Sequence, residues 1–157
     1  MCNRKNMSVL NLPPVSLKTK NTGERIMVFD FLRRRYVALT PEEWVRQHFV
    51  HFLVDRKGYP AALLANEVSL CVGGAARRCD TVLYRREGGA PRLIVEYKAP
   101  HVAITEKVFT QISSYNSVLR ADYLIVTNGM SHYCCRMDYA RCSYVFLPDV
   151  PDFGELE

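Results

Sequence analysis

The stretch "CDTVLYRREGGAPRLIVEYK", residues 79–98, decides the fold. Two apolar, β-prone runs flank Gly88-Gly89, a turn signal, so the stretch reads as an antiparallel hairpin. Folded about that turn, Asp80 falls opposite residues 96 and 97. Asp80 and Glu96 then end on neighbouring strands, close enough to share one cation. The second strand begins apolar, with Leu93, Ile94 and Val95, and ends with Glu96 and Lys98. Side chains at i and i+2 point to one face. Charges are rarely buried without partners. Either this strand end lies at the surface with a plain ion pair, or the strand carries a site. Asp80 alone reads equally as a strand cap or a turn residue; its value comes from the pairing. Residues 92–98 are expected in the centre of the sheet, because their first half is apolar on both faces.

Downstream, "TEKVFTQISSYNSVLRA" (105–121) reads as a helix with Val108, Ile112, Tyr115 and Leu119 as its buried stripe. Gln111 lies one turn before Tyr115 on the same side. "DYLIVTNG" is a further apolar strand. Strand, crossover helix and strand imply a parallel pair with right-handed connection. "HYCCRMD" and "CSYVFLP" read as edge-type strands.

Upstream, residues 63–72 read as a strand and "GGAARR" (73–78) as a loop. "TPEEWVRQHFVHFLVD" (40–55) has strong helix-start signals: Thr40 as N-cap, Pro41 at the first helical position and Glu43 completing a capping box. Residues 25–31 and 33–40 read as two short strands, a hairpin. Residues 1–24 read as a loosely packed N-terminal arm and 25–157 as a single domain.

The chain has 157 residues, 48% hydrophobic and 24% charged, ordinary for a soluble globular protein with one core. No apolar run approaches the ~18–20 residues that span a membrane, and the N-terminus lacks the apolar core of a secretory signal. The six cysteines form no C-x-x-C and no zinc-like spacing. They read as reduced thiols in a cytoplasmic protein. The four histidines share no geometry. The net charge of +5 is uneven: residues 1–60 hold eleven Lys or Arg against five acids, and residues 61–157 hold ten against eleven. A basic half points to an anionic partner, of which nucleic acid is the commonest, or to a plainly solvated face.

Asp80, then Glu96-Tyr97-Lys98 on a neighbouring strand, then Gln111-x-x-x-Tyr115 on the next helix, resembles the PD-(D/E)XK nuclease superfamily. Within it, "LTPEEWVRQ", "IVEYKAPHVAITEKVFTQISSYN" and "YLIVTNG" resemble the signature blocks of the N-terminal nuclease domain of the type I restriction enzyme R subunit, here in stand-alone form. The resemblance covers residues from about 25 to 145. It implies an α/β, restriction-endonuclease-like core, a central mixed sheet flanked by helices 41–55 and 105–120. It implies a metal-dependent DNA nuclease, hydrolysing phosphodiester bonds in restriction, defence or DNA processing. Cys79 stands where the superfamily name has Pro. The chain has no G-x-x-x-x-G-K-[ST] phosphate loop, so it carries no motor.

On this resemblance Asp80 and Glu96 hold Mg²⁺ or Mn²⁺, with the backbone carbonyl of Tyr97 as a third ligand. Such ions prefer a few carboxylates, retained waters and substrate phosphate. Lys98 sits beside the water or the scissile phosphate. Gln111 supports the site, and Tyr115 orients or contacts DNA; read from the residues alone, both are packing plus a buried hydrogen bond. Glu43 is a capping acid or an acid that approaches the metal. Glu67 approaches the metal or lies on the surface. Arg46 and Arg78 touch phosphate or pair with acids. The implied partners are DNA, with a second copy of the chain or other restriction or defence subunits beside it, and no membrane. The competing reading is a nucleic-acid-binding or structural module of a restriction-type assembly with little or no catalysis.

Overall fold

A computed structural model describes residues 7–156. Its element order begins with three short strands, β1 (Thr19–Asn21), β2 (Ile26–Asp30) and β3 (Arg35–Ala38), which form an antiparallel sheet. Helix α1 (Pro41–Asp55) follows. Then come β4 (Leu64–Val72), β5 (Ala75–Tyr84), β6 (Pro91–Tyr97), helix α2 (Glu106–Leu119), β7 (Tyr123–Thr127), β8 (His132–Asp138) and β9 (Ser143–Leu147). The last six strands form one mixed sheet in the order β4-β5-β6-β7-β8-β9, parallel at β6–β7 and antiparallel elsewhere. The architecture is the expected α/β one, with a restriction-endonuclease-like sheet and two helices.

β6 is the third of six strands, so the expectation of a central strand holds. Leu93, Val95 and Tyr97 pack with Val45, Phe49 and Leu53 of α1. Ile94 packs with Val108, Ile112 and Tyr115 of α2 on the other face. Each such fully buried side chain contributes roughly 1.5–3 kcal/mol. Covering both faces explains why the strand is continuously apolar up to Val95.

α1 starts as its sequence dictates. The Thr40 side chain accepts from the Glu43 N–H at 3.0 Å, and Pro41 occupies the first turn. The reciprocal half of the capping box is not made: the Glu43 carboxylate goes to Arg33, Arg46 and Gln47 instead.

Three expectations are corrected. β8, read as an edge-type strand, lies inside the sheet, because β9 pairs along its outer side. Residues 75–78, read as loop, belong to β5. Gly73 and Gly74 both take positive φ (56° and 80°) and form a two-residue turn between Val72 and Ala75. Glycine permits such a turn, so the loop shrinks to its minimum. The segment read as a loose arm is anchored at separate leucines between exposed residues, while residues 1–6 lie outside the described residues. Leu17 is buried with Val28 and Leu39 beneath the small sheet, and Leu10 and Leu12 pack against the main core. The Asn11 N–H donates to the Gly129 carbonyl at 2.8 Å. Apolar residues spaced through a polar segment gave no periodicity to read.

At the far edge, β9 exposes Tyr144, Val145 and Phe146. Among the described residues Cys71, Cys79, Cys134, Cys135 and Cys142 are free thiols, and no helix is long and apolar enough to cross a membrane.

Candidate active site

The β5–β6 ladder pairs Thr81 with Val95, so Asp80 stands beside Glu96 just where the pairing of the two strands ends. The Tyr97 N–H donates to Asp80 Oδ2 at 2.9 Å, which fixes one carboxylate oxygen. Asp80 Oδ1 accepts from Arg46 of α1 at 3.0 Å. Glu96 Oε1 accepts from Lys98 Nζ at 3.2 Å and from Gln111 Nε2 at 2.8 Å. Gln111 Oε1 accepts from Lys98 Nζ at 3.0 Å, and Gln111 Nε2 also donates to the Tyr115 hydroxyl at 2.9 Å. The two helices and two strands thus bring Asp80, Glu96, Lys98, Gln111 and Tyr115 together. Glu96 Oε2 is buried and has no hydrogen-bond partner.

The ribbon of β4 and β5 turns over at this place. Leu64 packs on the α1 side of the sheet, but Val68, Leu70 and Val72 pack on the α2 side, although regular alternation would give all four one face. The switch falls at Glu67, whose φ is +58°. The ladder pairs Asn66 with Thr81 and Val68 with Cys79, leaving Glu67 and Asp80 between them unpaired. Left-handed backbone at a non-glycine residue costs on the order of 1–3 kcal/mol, and such strain collects at functional sites.

Arg46 ties the acids together. Its guanidinium donates to Glu43 at 2.7 Å, to Glu67 at 2.6 Å and to Asp80. Burial works against its charge, but these three carboxylates outweigh that and hold its pKa above the usual value. Of the two readings left open for Arg46, the structure shows pairing with acids. Arg78 is exposed and pairs with Glu67 at 3.2 Å.

The carboxylates respond to burial and to one another. Burial pushes the Asp80 carboxyl up, countered in part by the Arg46 charge and the Tyr97 N–H. Burial, then the Asp80 charge, pushes Glu96 up to about 8, with Lys98 opposing. In Asp30 burial is outweighed by the Arg33 backbone N–H and the Asn66 and Arg33 side chains, and its pKa is lowered.

Of the two adjacent acids at the start of α1, the sequence reading singled out Glu43. Its carboxylate is fully engaged with Arg33, Arg46 and Gln47. Burial and then the Asp80 charge raise the Glu42 carboxyl, with Lys98 and Arg46 opposing. Helical spacing does not separate the two acids, because Arg46 lies three residues after Glu43 and four after Glu42.

Among the described residues no three His, Cys, Asp or Glu side chains converge as a closed metal cage. The chemistry of the donors nevertheless suits a hard cation of the Mg²⁺ kind, which takes one or two protein carboxylates and keeps waters. The Glu96 oxygen without a hydrogen-bond partner lies beside Asp80.

Against known proteins, the model of the family described as type I restriction enzyme R protein N terminus matches residues 41–151. No curated protein matches the chain. Among solved structures, a fragment of a protein described as an HsdR subunit of a type I restriction enzyme from Vibrio vulnificus YJ016 is similar, with a TM-score of 0.54 and 20% identity. The match covers 75% of this chain and 24% of that one, so the chain spans about a quarter of that structure's length.

Proposed function

Because the chain belongs to the family of the type I restriction enzyme R protein N terminus, we propose that Asp80, Glu96, Lys98 and Gln111 form the hydrolytic centre of a divalent-metal-dependent DNA nuclease. The observation that carries this reading is the buried Glu96 Oε2, an acceptor with no partner in the chain, beside a second carboxylate and a lysine. A buried acceptor without a partner costs roughly 1–3 kcal/mol. A fold that keeps one there reserves it for something that binds.

Asp80 and Glu96, with the Tyr97 carbonyl, would hold Mg²⁺ or Mn²⁺, and Glu42 is placed to add its charge. The ion would supply a water of lowered pKa and neutralise charge on the phosphoryl oxygens. Glu96 must give up its proton to serve as a ligand, so cation binding releases a proton below pH 8. Arg46 is a positioning residue: with the Tyr97 N–H it fixes both oxygens of Asp80. Gln111 bonds to both Lys98 and Glu96 and so holds them together, and Tyr115 holds Gln111. Lys98 then compensates charge that develops at the scissile phosphate.

Calorimetry and cleavage together test this. Wild-type protein binds Mn²⁺ and nicks or degrades DNA in Mg²⁺ or Mn²⁺ but not in EDTA. Asp80→Ala loses both. Lys98→Ala keeps the fold and most DNA binding but cleaves ~10²-fold more slowly, the loss of one preorganised electrostatic group. Mn²⁺ binding unchanged in Asp80→Ala overturns the assignment. The reading as a binding or structural module draws on the lack of a closed acid cage among the described residues. Salt-sensitive DNA binding without cleavage in any metal would favour it.

A further inference from the structure

The basic charge of the N-terminal half has a place in the structure that the hydrolytic centre does not use. β1–β3 precede residue 41, where the family match begins. Val28 and Val37 turn inward to the small core. Lys18, Lys20, Phe29 and Tyr36 alternate with them and form the outer face. Lys20 Nζ lies 4.1 Å from the Tyr36 ring centre and Lys18 Nζ 5.5 Å from that of Phe29, and the two rings meet edge to face at 5.3 Å. Arg25 and Arg34 are exposed in the turns at the two ends of β2. No ion pair joins any of these four cations to an acid among the described residues. Asp30 is buried and committed to Arg33 and Asn66, which leaves Glu24 as the exposed acid of residues 18–36.

We propose that this outer face of the small sheet is a phosphate-tracking surface that binds the nucleic-acid backbone; it rests on the nuclease reading above. An aromatic ring orders a lysine without neutralising it. The two ammonium groups are therefore held out on the face with their charge unspent. β2 rises about 17 Å over its length, the axial distance in which one strand of duplex carries about five phosphates. The small sheet that carries this face is tied to the centre from its inner side, through Asp30 and through Arg33 in the turn after β2, by two chains of hydrogen bonds. One runs from Asp30 to Asn66 and Thr81, next to Asp80. The other runs from Arg33 through Glu43 and Arg46 to Asp80 itself. A membrane surface fits less well, since such sites pair cations with exposed apolar anchors, and none of the exposed large apolar side chains lies on β1–β3.

The test is duplex DNA binding, without divalent metal, as a function of salt, for wild type and for Lys18→Gln/Lys20→Gln/Arg25→Gln. The triple variant should bind at least about 10-fold more weakly at low salt. Its log–log salt slope should be shallower by roughly two to three, since each phosphate that a cation no longer neutralises removes about 0.9. Its cleavage rate at saturating DNA should match wild type, with KM raised, and it should unfold cooperatively with a midpoint lowered only by the loss of two exposed cation–π contacts. Arg25→Gln alone, in an exposed turn, should remove about one unit of slope. A triple variant that binds with wild-type affinity and slope overturns the surface and leaves the nuclease reading standing. Wild-type binding to phosphatidylserine-containing vesicles that the triple variant loses, with DNA binding intact, overturns it in favour of a membrane. Wild type that neither binds nor cuts DNA overturns both.

Discussion

Glu96 combines in one side chain a carboxyl raised to about 8, an ammonium at 3.2 Å and an oxygen with no partner. Its folded pKa lies above its ordinary value of 4.5, so the folded state binds the proton more tightly than the unfolded one. In metal-free protein its contribution to stability is present below pH 4.5 and is lost as pH rises towards 8. Asp80 is raised too and adds to this fall. His48 opposes it: burial lowers its pKa, so its contribution is lost as pH falls below 6.5. Comparison with Glu96→Gln isolates the glutamate. Melting of wild type in EDTA should lose stability between about pH 5 and 8.5 relative to Glu96→Gln. Parallel curves for the two proteins would show that Glu96 is not protonated in the fold.

At the scale of the element, the β4–β5 ribbon sets where the acids stand. It turns over at Glu67, and Asp80 is its unpaired neighbour. Glu67→Gly and Glu67→Ala both remove the carboxylate from Arg46 and Arg78. They differ in the backbone: alanine in left-handed geometry carries a penalty of about 1–2 kcal/mol that glycine escapes. Glu67→Gly should therefore be more stable than Glu67→Ala by about 1 kcal/mol in urea unfolding. An alanine variant as stable as the glycine variant would mean that the ribbon does not turn over there.

For the whole molecule, the six-stranded sheet is covered by α1 on one face and α2 on the other, and the small sheet is seated beside α1. Residues 7–17 help to close this assembly. Leu17 is buried, Trp44 donates its indole N–H to the Ser8 carbonyl at 3.0 Å, and Leu10 lies so near Gly129 that a Cβ there would meet it at 2.8 Å. Deletion of residues 1–24 should cost ~3 kcal/mol or more, on the loss of one buried leucine and two partly buried ones. An unchanged unfolding midpoint would restore the view of this segment as a loose arm.

Local rules were enough for much of this. The Thr40 N-cap of α1, the apolar run of β6, the Gly88-Gly89 hairpin and the helical spacing of Gln111 and Tyr115 are nearest-neighbour chemistry, legible in the order of residues. They placed Asp80 against Glu96, and Gln111 one turn from Tyr115, on sequence alone. Other features depend on partners far along the chain. Glu43 turns to Arg33 and Arg46 because α1 packs against the sheet with one rotation about its axis. Glu67 takes left-handed backbone because long-range packing on both faces of the sheet outweighs a local penalty. Leu17 is buried and Leu10 partly buried because the main core and the small sheet leave surfaces for them. Periodicity cannot report a rotation, a strained residue or a distant cavity, so those were settled only by the tertiary structure.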